Sequence, residues 1–410
     1  MINSTLCYIK KNNQYLLLHR VKKDHDLNHG KWIGVGGKFE PGESADECVV
    51  REVYEETGLT ITKFFCHGII KFISGAWEDQ DMYLYTATEF EGELISDCPE
   101  GELKWVDADE VLKLPTWEGD KYFMEPLLSG QKRIDMVVRY DENDNLIGHE
   151  DLTEELTTLK ASNLTYAHGF STRTGGVSEG IFKSLNLGMN RADIKERVIE
   201  NWNRFLESCG VINKEFVCGE QVHKNNVHIA TIKDLRPAYG PGKMNVADGY
   251  VTNLKNVPLA IFIADCVPVL LEDIVHGVIG AVHCGWRSTV LDIQKNAIDA
   301  MLSLGATTDC INVAIGPAID KCCFEVGGEV IEAVEELLGK ESAKNFYEKR
   351  GEKFMLDLRG VVKERFLNLN IKKENIEIVG DCTMCNPKLF WSHRYTKGER
   401  GSQAAVIEMN

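Results

Sequence analysis

The stretch that decides the first half of the fold is GKFEPGESADECVVREVYEETGL, residues 37–59. Within it, Glu52, Glu55 and Glu56 are spaced so that a helix places the three carboxylates on one face. Like charges this close repel one another, and a divalent cation would neutralise them. Carboxylate oxygens favour Mg²⁺ or Mn²⁺ over zinc. The run of acids alone also fits a solvated helix surface.

Glycines frame this acidic run. Gly36-Gly37 precede it and Gly58 follows it, which is typical of a loop, a helix over residues 44–57 and a second loop. Upstream, residues 5–20 predict two short strands joined by a polar turn. Further strands are expected over residues 69–90 and 103–106.

Every defined position of this stretch matches the Nudix box: Gly, five residues, Glu, seven residues, Arg-Glu, an apolar residue, any residue, Glu-Glu, any residue, Gly, an apolar residue. Residues 1–155 therefore resemble a Nudix hydrolase. The resemblance implies an α/β/α sandwich and Mg²⁺- or Mn²⁺-dependent hydrolysis of a nucleoside diphosphate linked to another group. Arg51 would orient the acids and Glu43 would brace the loop. The implied metal ligands and water-activating residues are Glu52, Glu55 and Glu56.

Two further segments, NHGKWIGVGGKFEPGE and WEGDKYFMEPLL, resemble the Nudix branch that sanitises oxidised purine nucleoside triphosphates such as 8-oxo-dGTP. In that branch an acidic pair after a Trp, and an Asn beside the glycine loop, bind the base. Trp117 and Asp120 match this pattern, although a loop aromatic and a solvated acid are the alternative. Gly119 replaces one acid and Ile33 replaces the Asn, so the nucleotide stays open. Glu102 matches an additional metal-side acid of the branch.

The second half begins after a polar, acidic segment, residues 141–155, and we place the domain boundary near residue 155. Helices and apolar strands alternate beyond it, which predicts a mixed α/β domain over residues 156–410. The predicted elements are helices over 194–208 and 288–304, helices near 330 and 361, and strands over 259–264, 277–283 and 311–315.

Two histidines and a cysteine of this half each end or interrupt an apolar strand: His223, Cys266 and His283. Two imidazoles and one thiolate suit zinc and leave a fourth position for water or substrate. A His or Cys in apolar surroundings is also common as a satisfied core residue. Spacing alone leaves both interpretations open.

The motifs around these residues are FSTRTGG from Phe170, Asp248-Gly, IGP from Ile315, CCFEVG from Cys322, DCTMC from Asp381 and SHR from Ser392. Together they resemble the laccase-domain (YfiH-like) family, also named polyphenol oxidase. Members of this family are assigned as zinc-dependent purine nucleoside phosphorylases with adenosine deaminase and methylthioadenosine phosphorylase activity. The resemblance implies zinc on His223, Cys266 and His283, and adenosine, inosine, methylthioadenosine and phosphate as substrates.

Zinc-activated water can attack C6 of adenosine near neutral pH and release ammonia. Phosphorolysis also needs a cation that holds phosphate. Arg287, at the predicted start of the helix after His283, is the first candidate. Arg173 and Arg394 are weaker candidates. Each of these arginines could instead form a structural ion pair.

The 13 cysteines are an odd number in a chain whose first residues do not resemble an export signal, so reduced thiols are expected. Cys382 and Cys385 form a CxxC, and Cys322-Cys323 are adjacent. A four-cysteine zinc site normally shows two separated CxxC-type knuckles, which this sequence lacks. The sequence therefore favours buried thiols near the purine site.

The formal charge of −17 argues against binding duplex nucleic acid, and most of it lies in residues 1–150, with 16 basic and 29 acidic side chains. No apolar run is long enough for a membrane span. We therefore expect a cytoplasmic bifunctional enzyme of small nucleotides and nucleosides, whose oligomeric state the sequence leaves open.

The alternative is a copper-dependent polyphenol oxidase with a Nudix half that only senses a nucleotide. Multicopper oxidation needs several clustered histidines, often as HxH pairs, and the chain has 11 histidines without one such pair. The complete set of Glu52, Glu55 and Glu56 argues against a pure sensor, because a sensor does not need to activate water.

Overall fold

The computed structural model describes residues 2–22, 26–240 and 244–410. The chain divides into two compact units, Met1–Glu154 and Glu155–Asn410. Each unit has its own hydrophobic core.

The described residues of the first unit form one mixed sheet with three helices. Its strands are β1 (Ile2–Lys11), β2 (Gln14–His19), β3 (Trp32–Ile33), β4 (Thr60–Ser74), β5 (Gln80–Glu91), β6 (Glu102–Asp107), β7 (Met136–Tyr140) and β8 (Leu146–Asp151). Its helices are α1 (Ala45–Thr57), α2 (Ala108–Val111) and α3 (Asp120–Leu128). The strand order is β3-β2-β1-β5-β4-β7-β8, and β6 pairs with β2.

Helices cover both faces of this sheet. On β1, Leu6 and Tyr8 pack in one core cluster with residues of α3. Thr5 lies on the opposite face, because successive strand residues alternate, and its Oγ1 is 3.6 Å from Cys48 Sγ of α1. The predicted α/β/α sandwich is confirmed.

Helix α1 has strong signals at both ends. Ser44 caps the start in a capping box with Glu47, and Gly58 ends the helix in the left-handed region at φ 73°. The helix predicted over residues 44–57 therefore ends at the predicted residue and begins one residue later, after the Ser44 cap.

The polar segment 141–155 is only partly a linker. Residues Leu146–Asp151 form β8, which pairs antiparallel with β7 at the edge of the sheet. Asp141 Oδ1 accepts hydrogen bonds from the backbone N–H groups of Asn143 and Asn145 and so shapes the hairpin turn. The acidic composition is that of an exposed edge strand, which is why its strand character was missed.

The second unit contains the remaining strands and helices. The strands are β9 (Thr158–Leu159), β10 (Ala167–Ser171), β11 (Gly219–Glu220), β12 (Val227–Ile229), β13 (Asn245–Val246), β14 (Gly249–Thr252), β15 (Leu259–Ile263), β16 (Val267–Asp273), β17 (Val278–Cys284), β18 (Ile311–Ile315), β19 (Glu325–Val326), β20 (Tyr347–Arg350), β21 (Lys353–Leu356), β22 (Ile376–Ile378) and β23 (Gln403–Glu408). The helices are α4 (Lys195–Cys209), α5 (Trp286–Val290), α6 (Ile293–Ser303), α7 (Gly328–Leu338), α8 (Lys340–Ala343), α9 (Leu358–Asn368) and α10 (His393–Thr396).

Four layers build this unit. A six-stranded sheet, β12-β14-β17-β16-β18-β22, packs against a four-stranded sheet, β15-β23-β10-β9, through a shared core that includes Leu270 and Ile261. Helices α6, α7 and α9 cover the outer face of the larger sheet, and α4 covers the smaller one. The mixed α/β prediction is confirmed.

The helix predicted over residues 288–304 is two helices, α5 and α6. The break lies at Asp292, whose φ is 65°. Arg365 donates from Nε and Nη2 to the two carboxylate oxygens of Asp292, both at 2.7 Å. This tertiary ion pair fixes the break, and local sequence could not reveal it. Among the described residues, no helix has both the length and the apolar character to cross a membrane.

Candidate active sites

The acidic face of α1 is organised by Arg51. Its Nε and Nη2 donate to the two carboxylate oxygens of Glu43 at 2.8 and 2.9 Å. Its Nη1 donates to Glu52 at 2.8 Å and to Glu55 at 3.2 Å. These contacts raise the pKa of Arg51, first through the hydrogen bond to Glu43. Arg51 therefore holds three acids in one network, with Glu43 at the loop.

Glu56 lies apart from this network. Its side chain is largely buried, and one carboxylate oxygen accepts the Gly36 N–H at 2.9 Å. The other oxygen is 3.8 Å from Arg20 Nη1, and Arg20 also contacts Glu100. Glu102 is an exposed residue on β6 opposite His19. Glu100, which the sequence analysis did not single out, is thus the acid that shares the Arg20 guanidinium with Glu56.

Two glycines lie in close contact with the sheet and with the helix acids. A Cβ on Gly37 would lie 2.4 Å from the Glu52 carboxyl group, and one on Gly36 would lie 2.2 Å from the Thr5 carbonyl oxygen. The Gly-Gly pair therefore lets the loop approach both the sheet and the helix acids.

In the described part of the chain, three groups of residues could hold a metal ion, because the ligand atoms within each group lie within 4.8 Å of one another. The glutamates of α1 belong to none of these groups. Instead, arginines neutralise these acids. A divalent cation would have to displace Arg51 from Glu52 and Glu55. The all-oxygen donor set suits Mg²⁺, but it is not preassembled around one point.

Trp117 and Asp120 are neighbours with different exposure. Trp117 lines a cleft of about 670 Å³, and its Nε1 donates to Asn28 at 2.8 Å. Asp120 begins α3 and is only 3% exposed. Burial raises its pKa to about 7, against a hydrogen bond at Trp117 and the charge of Lys31, which lower it. Asp120 is therefore a buried acid and not the solvated acid of the alternative interpretation.

The absence of an acid at position 119 has a steric cause. A Cβ on Gly119 would lie 2.6 Å from the Tyr140 hydroxyl and 3.0 Å from Val138 Cγ1. The Gly119 N–H donates to the Tyr140 hydroxyl at 2.8 Å. Tyr140 thus occupies the space that a side chain at 119 would need.

Three strand ends of the second unit bring His223, Cys266 and His283 together. Cys266 immediately precedes β16, which pairs with β17, and β17 carries His283. His223 lies in the loop after β11. Their ligand atoms all lie within 4.8 Å of one another, and His223 Nε2 is 3.8 Å from Cys266 Sγ. Residues far apart in sequence thus form one cluster.

Asp248 is the residue that holds this cluster in shape. Its Oδ1 is 2.9 Å from His283 Nδ1 and accepts the backbone N–H of His223 at 3.0 Å. Its Oδ2 accepts the N–H groups of Val222 and Lys224 at 3.1 and 2.9 Å. These bonds support His223 in a left-handed conformation with φ 58° and leave Nε2 of His283 as the ring nitrogen for a metal.

Without a metal, the cluster pairs a Cys266 thiolate with a protonated His283, and a cation that binds here must displace the proton of His283. Burial raises the pKa of the Cys266 thiol, but positive charge on His283 and a hydrogen bond from His223 outweigh it and lower that pKa to about 6. Burial lowers the pKa of His283, and the Cys266 thiolate and Asp248 raise it to about 9. The cysteine is therefore a thiolate near neutral pH, the form that binds zinc.

Gly285 leaves space beside the same atoms. A Cβ there would lie 2.9 Å from His223 Cδ2 and 3.3 Å from Cys266 Sγ. Its φ of −67° is ordinary for any residue, so the backbone does not require glycine. Glycine is needed here because a larger residue would crowd His223 and Cys266.

The cluster lies in a cavity of about 790 Å³. Four arginines line it: Arg191, Arg236, Arg394 and Arg400. Within the described residues, the buried Nε atoms of Arg191, Arg236 and Arg400 have no hydrogen-bond partner. Burial and the neighbouring charge of Arg191 lower the pKa of Arg400 to about 10. Two close guanidinium groups with unused donors favour an anion.

The arginines singled out from sequence lie elsewhere, except one. Arg287 is exposed on α5, with its guanidinium 4.3 Å from the Trp286 ring centroid, and it is not among the residues that line the cavity. Arg173 packs 3.8 Å from the Trp391 ring centroid and donates to the Pro387 carbonyl at 2.7 Å, also outside the lining. Arg394 lines the cavity and donates to the Glu325 carbonyl at 3.2 Å. These placements do not support Arg287 or Arg173 as substrate contacts.

The cysteines are all free thiols, as expected. The prediction that the CxxC and the cysteine pair are buried is wrong for Cys322 and Cys385, which are exposed, and holds for Cys382. Both segments are loops after parallel strands, where side chains reach solvent.

Sequence reasoning did not single out Asp248, which bonds to the cluster, or Arg191 and Arg400, which line the cavity. Asp248 stands in a quoted motif, and its acid type before Gly249 was the one available signal. Nothing local marks Arg191 or Arg400, because their neighbours in the cavity come from distant segments.

Comparison with known families agrees with both halves. A family model described as multi-copper polyphenol oxidoreductase laccase matches residues 167–410. A model described as NUDIX domain matches residues 3–127. Both resemblances inferred from the sequence are confirmed.

Relatives of known structure or curated name resemble the second unit. "Purine nucleoside phosphorylase YlmD" of Bacillus subtilis is 32% identical over 266 residues, 63% of this chain and 94% of the relative. A Deinococcus radiodurans purine nucleoside phosphorylase is 34% identical over 252 residues, 62% of this chain and 92% of the relative. The crystal structure of YlmD from Geobacillus stearothermophilus is 30% identical, with a TM-score of 0.57, and covers 61% of this chain and 94% of that one. The chain therefore belongs to the multi-copper polyphenol oxidoreductase laccase family and carries a NUDIX domain ahead of the family region.

Proposed function

We propose that the chain is a bifunctional enzyme. The first unit hydrolyses a nucleoside diphosphate linked to another group, such as 8-oxo-dGTP or another nucleoside triphosphate, with Mg²⁺ or Mn²⁺. The second unit cleaves adenosine, inosine or methylthioadenosine with phosphate and deaminates adenosine, with zinc. The observation that carries the second activity is the cluster of His223, Cys266 and His283 in a cavity lined by arginines, three of which have an Nε atom without a hydrogen-bond partner.

The donor set fits zinc. Two imidazoles and a thiolate are ligands that zinc prefers, and three protein ligands leave one position open. Bound there, zinc would supply a Lewis acid that lowers the pKa of water. Asp248 fixes the ring of His283, and Gly285 leaves room beside His223 and Cys266.

Arg191 and Arg400 are the phosphate ligands that we propose in place of Arg287. In phosphorolysis, a phosphate oxygen attacks C1′ of the ribose, and the glycosidic electron pair leaves with the purine. Phosphate is a dianion near neutral pH, and two neighbouring guanidinium groups that each keep an unpaired Nε–H match it. His393 lies beside Arg400, and burial with the nearby arginine charge lowers its pKa.

The apolar part of the same cavity suits the purine ring. Phe262, Phe324 and Ile319 line it together with the metal cluster. A cavity of about 790 Å³ is within the usual range of about 300–1,000 Å³ for ligand pockets. A nucleoside and a phosphate fit such a volume together.

In the first unit, Arg51 would position Glu52 and Glu55, and the Gly36 N–H would position Glu56, for the cation that neutralises the diphosphate. Glu102 is retained as a proposed metal-side acid. Trp117 and Asp120 would contact the base, with Asp120 close to half-protonated near pH 7.

The copper-oxidase alternative comes from the name of the family model. Among the described residues, each group that could hold a metal contains at most two histidines. Two histidines and a cysteine alone could hold an electron-transfer copper, but multicopper oxidation of phenols also needs a separate cluster of several histidines, which the described residues lack. The donor chemistry therefore favours zinc and purine nucleosides over copper and phenols.

The test uses the full chain with defined metals. Inosine with zinc and phosphate should give hypoxanthine and ribose 1-phosphate, and omitting phosphate should stop the cleavage. Adenosine should give inosine and ammonia without phosphate. A panel of nucleoside triphosphates with Mg²⁺ should give pyrophosphate. Oxygen consumption with phenols and copper, without nucleoside cleavage, would overturn the assignment of the second unit.

A further inference from the structure

Four cysteines outside the cavity lining form a second cluster. Cys322 and Cys323 lie in the loop after β18, and Cys382 and Cys385 lie in the loop after β22. These two strands are parallel neighbours, so their loops leave the sheet at the same edge. An isolated bridge between Ala318 and Cys382 continues the pairing into the loops.

The sulfur atoms have the spacing of a metal site. All four Sγ atoms lie within 4.8 Å of one another. Cys385 Sγ is 3.4 Å from Cys322 Sγ and 3.3 Å from Cys323 Sγ. Zinc bound at about 2.3 Å by four thiolates holds them about 3.8 Å apart, near the middle of this range.

A disulfide explains the arrangement less well. It joins two sulfurs at about 2.05 Å and leaves the others unused. Here Cys385 is almost equally close to two partners, and all four cysteines are free. The clustering of all four, rather than of one pair, points to a shared ligand.

The surroundings give one of the sulfur atoms a hydrogen-bond donor and leave the cluster open to an entering cation. The Asp320 N–H donates to Cys382 Sγ at 3.4 Å, which stabilises negative charge on the sulfur. Cys322 and Cys385 are exposed, so a metal can reach the site from solvent. Four soft thiolates favour zinc over Mg²⁺ or Ca²⁺.

The two loops also shape the cavity. Thr383 Oγ1 donates to Asp265 Oδ1 at 2.6 Å, and the Ile319 N–H donates to the Asp265 carbonyl at 2.9 Å. Asp265 has a left-handed φ of 83° and directly precedes Cys266. Ile319 and Phe324, on the first loop, line the cavity.

We propose that Cys322, Cys323, Cys382 and Cys385 bind a structural zinc ion, separate from the His223 cluster, that ties the two loops together. The ion fixes the cavity wall and the backbone next to Cys266. This proposal is independent of the proposed function, because it concerns metal content and not the reaction.

The experiment measures zinc per chain in the full protein after exhaustive dialysis. The wild type should hold about two zinc ions. The double variant Cys322→Ser/Cys385→Ser should lose about one, and His223→Ala/Cys266→Ala should lose the other. The first pair is exposed, so its exchange leaves the core intact. Cys310→Ser is the matched control: it lies in the remaining candidate group, with Asp273 and His276, and should keep both ions.

A spectroscopic arm covers the case in which a variant misfolds. His223→Ala/Cys266→Ala protein loaded with Co²⁺ should show the strong charge-transfer and visible bands of tetrahedral cobalt thiolate. Undiminished zinc in Cys322→Ser/Cys385→Ser, or absence of these bands, would overturn the proposal. So would a disulfide among the four cysteines, found by mass spectrometry of protein alkylated before reduction. If the wild type holds a single zinc ion, which Cys322→Ser/Cys385→Ser removes and His223→Ala/Cys266→Ala retains, the four-cysteine site stands and the proposed zinc at the His223 cluster is contradicted instead.

Discussion

In the first unit the candidate ligands come from one helix, whereas in the second they come from three strand ends. Glu52, Glu55 and Glu56 lie within a single turn and a half, yet arginines hold them apart from a common point. His223 and His283 lie far apart in sequence, yet their ligand atoms meet around Cys266. Proximity in sequence therefore does not predict which site is preassembled.

The physical difference is in what neutralises each cluster. Arg51 bonds to Glu43, Glu52 and Glu55, so a cation must compete with a guanidinium group. In the second unit, Asp248 bonds to the ligands from behind and leaves their metal-facing atoms together. We expect tight metal binding in the second unit and weaker, substrate-assisted binding in the first.

The largest effect is expected for Cys266→Ala. Removal of the charged ligand should abolish zinc binding at this cluster, and inosine phosphorolysis and adenosine deamination should fall together to background. Mg²⁺-dependent nucleotide hydrolysis should stay unchanged. Zinc content and the three rates measure this. Cys284→Ala, at a buried thiol in the core, is the control, and unchanged phosphorolysis in Cys266→Ala would contradict the site.

Glu56→Gln should come next. The amide keeps the size of the side chain but removes a charge from the metal site, so nucleotide hydrolysis should fall by about 10²-fold or more. Phosphorolysis should not change. The exposed Glu89→Gln is the matched control. Full Mg²⁺-dependent turnover in Glu56→Gln would mean that the helix acids do not carry the chemistry.

Arg400→Ala should separate the two reactions of the second unit. Loss of a phosphate ligand should raise the KM for phosphate about 10-fold or more and spare deamination, which uses water. Arg287→Ala, at an exposed residue outside the cavity, should leave both reactions unchanged. Equal loss of deamination and phosphorolysis in Arg400→Ala would assign it to nucleoside binding, and a phosphate defect in Arg287→Ala would restore the original candidate.

Gly285→Ala should weaken zinc binding without removing a ligand. The added Cβ meets His223 and Cys266, which must shift. We expect a loss of about 10-fold in zinc affinity, measured by competition with a chelator. Gly328→Ala, with nothing within 4 Å of the added Cβ, is the control. Identical affinities would show that the cluster tolerates displacement.

The smallest effect concerns stability and pH. Burial raises the folded-state pKa of Asp120 from 3.8 to about 7, so the free energy of unfolding should fall as pH rises between these values. This loss is at most about 4 kcal/mol. Asp120→Asn should remove it, so the variant should gain stability over the wild type at pH 8 but not at pH 4.

Calorimetry of the first unit's transition in the full chain measures this difference. The exposed Asp109→Asn is the control. Equal pH dependence in wild type and Asp120→Asn would show that Asp120 is ionised throughout and not held by burial.

The sequence predicted the elements with local signals. Ser44 and Gly58 bound α1 at its true ends because caps act within one turn. The break at Asp292 was missed because its cause, Arg365, is distant in sequence. Likewise, the charged strand β8 resembled a linker because its exposure is set by its place at the sheet edge.

The same division holds for the sites. Ligand types and motifs pointed to His223, Cys266 and His283 because metal chemistry restricts residue identity. The sequence did not identify the arginines of the cavity, because an arginine near a motif can equally lie on the surface. Only tertiary packing distinguishes Arg400 in the cavity from Arg287 on the surface.

The central claim, that the second unit uses zinc on His223, Cys266 and His283, is tested most directly by anomalous X-ray diffraction of crystals of the full chain. Data collected on both sides of the zinc and copper absorption edges identify the element at each position. The account predicts a zinc peak within about 2.0–2.3 Å of His223 Nε2, Cys266 Sγ and His283 Nε2. A copper peak at these atoms, or none in protein purified with active phosphorolysis, would contradict it.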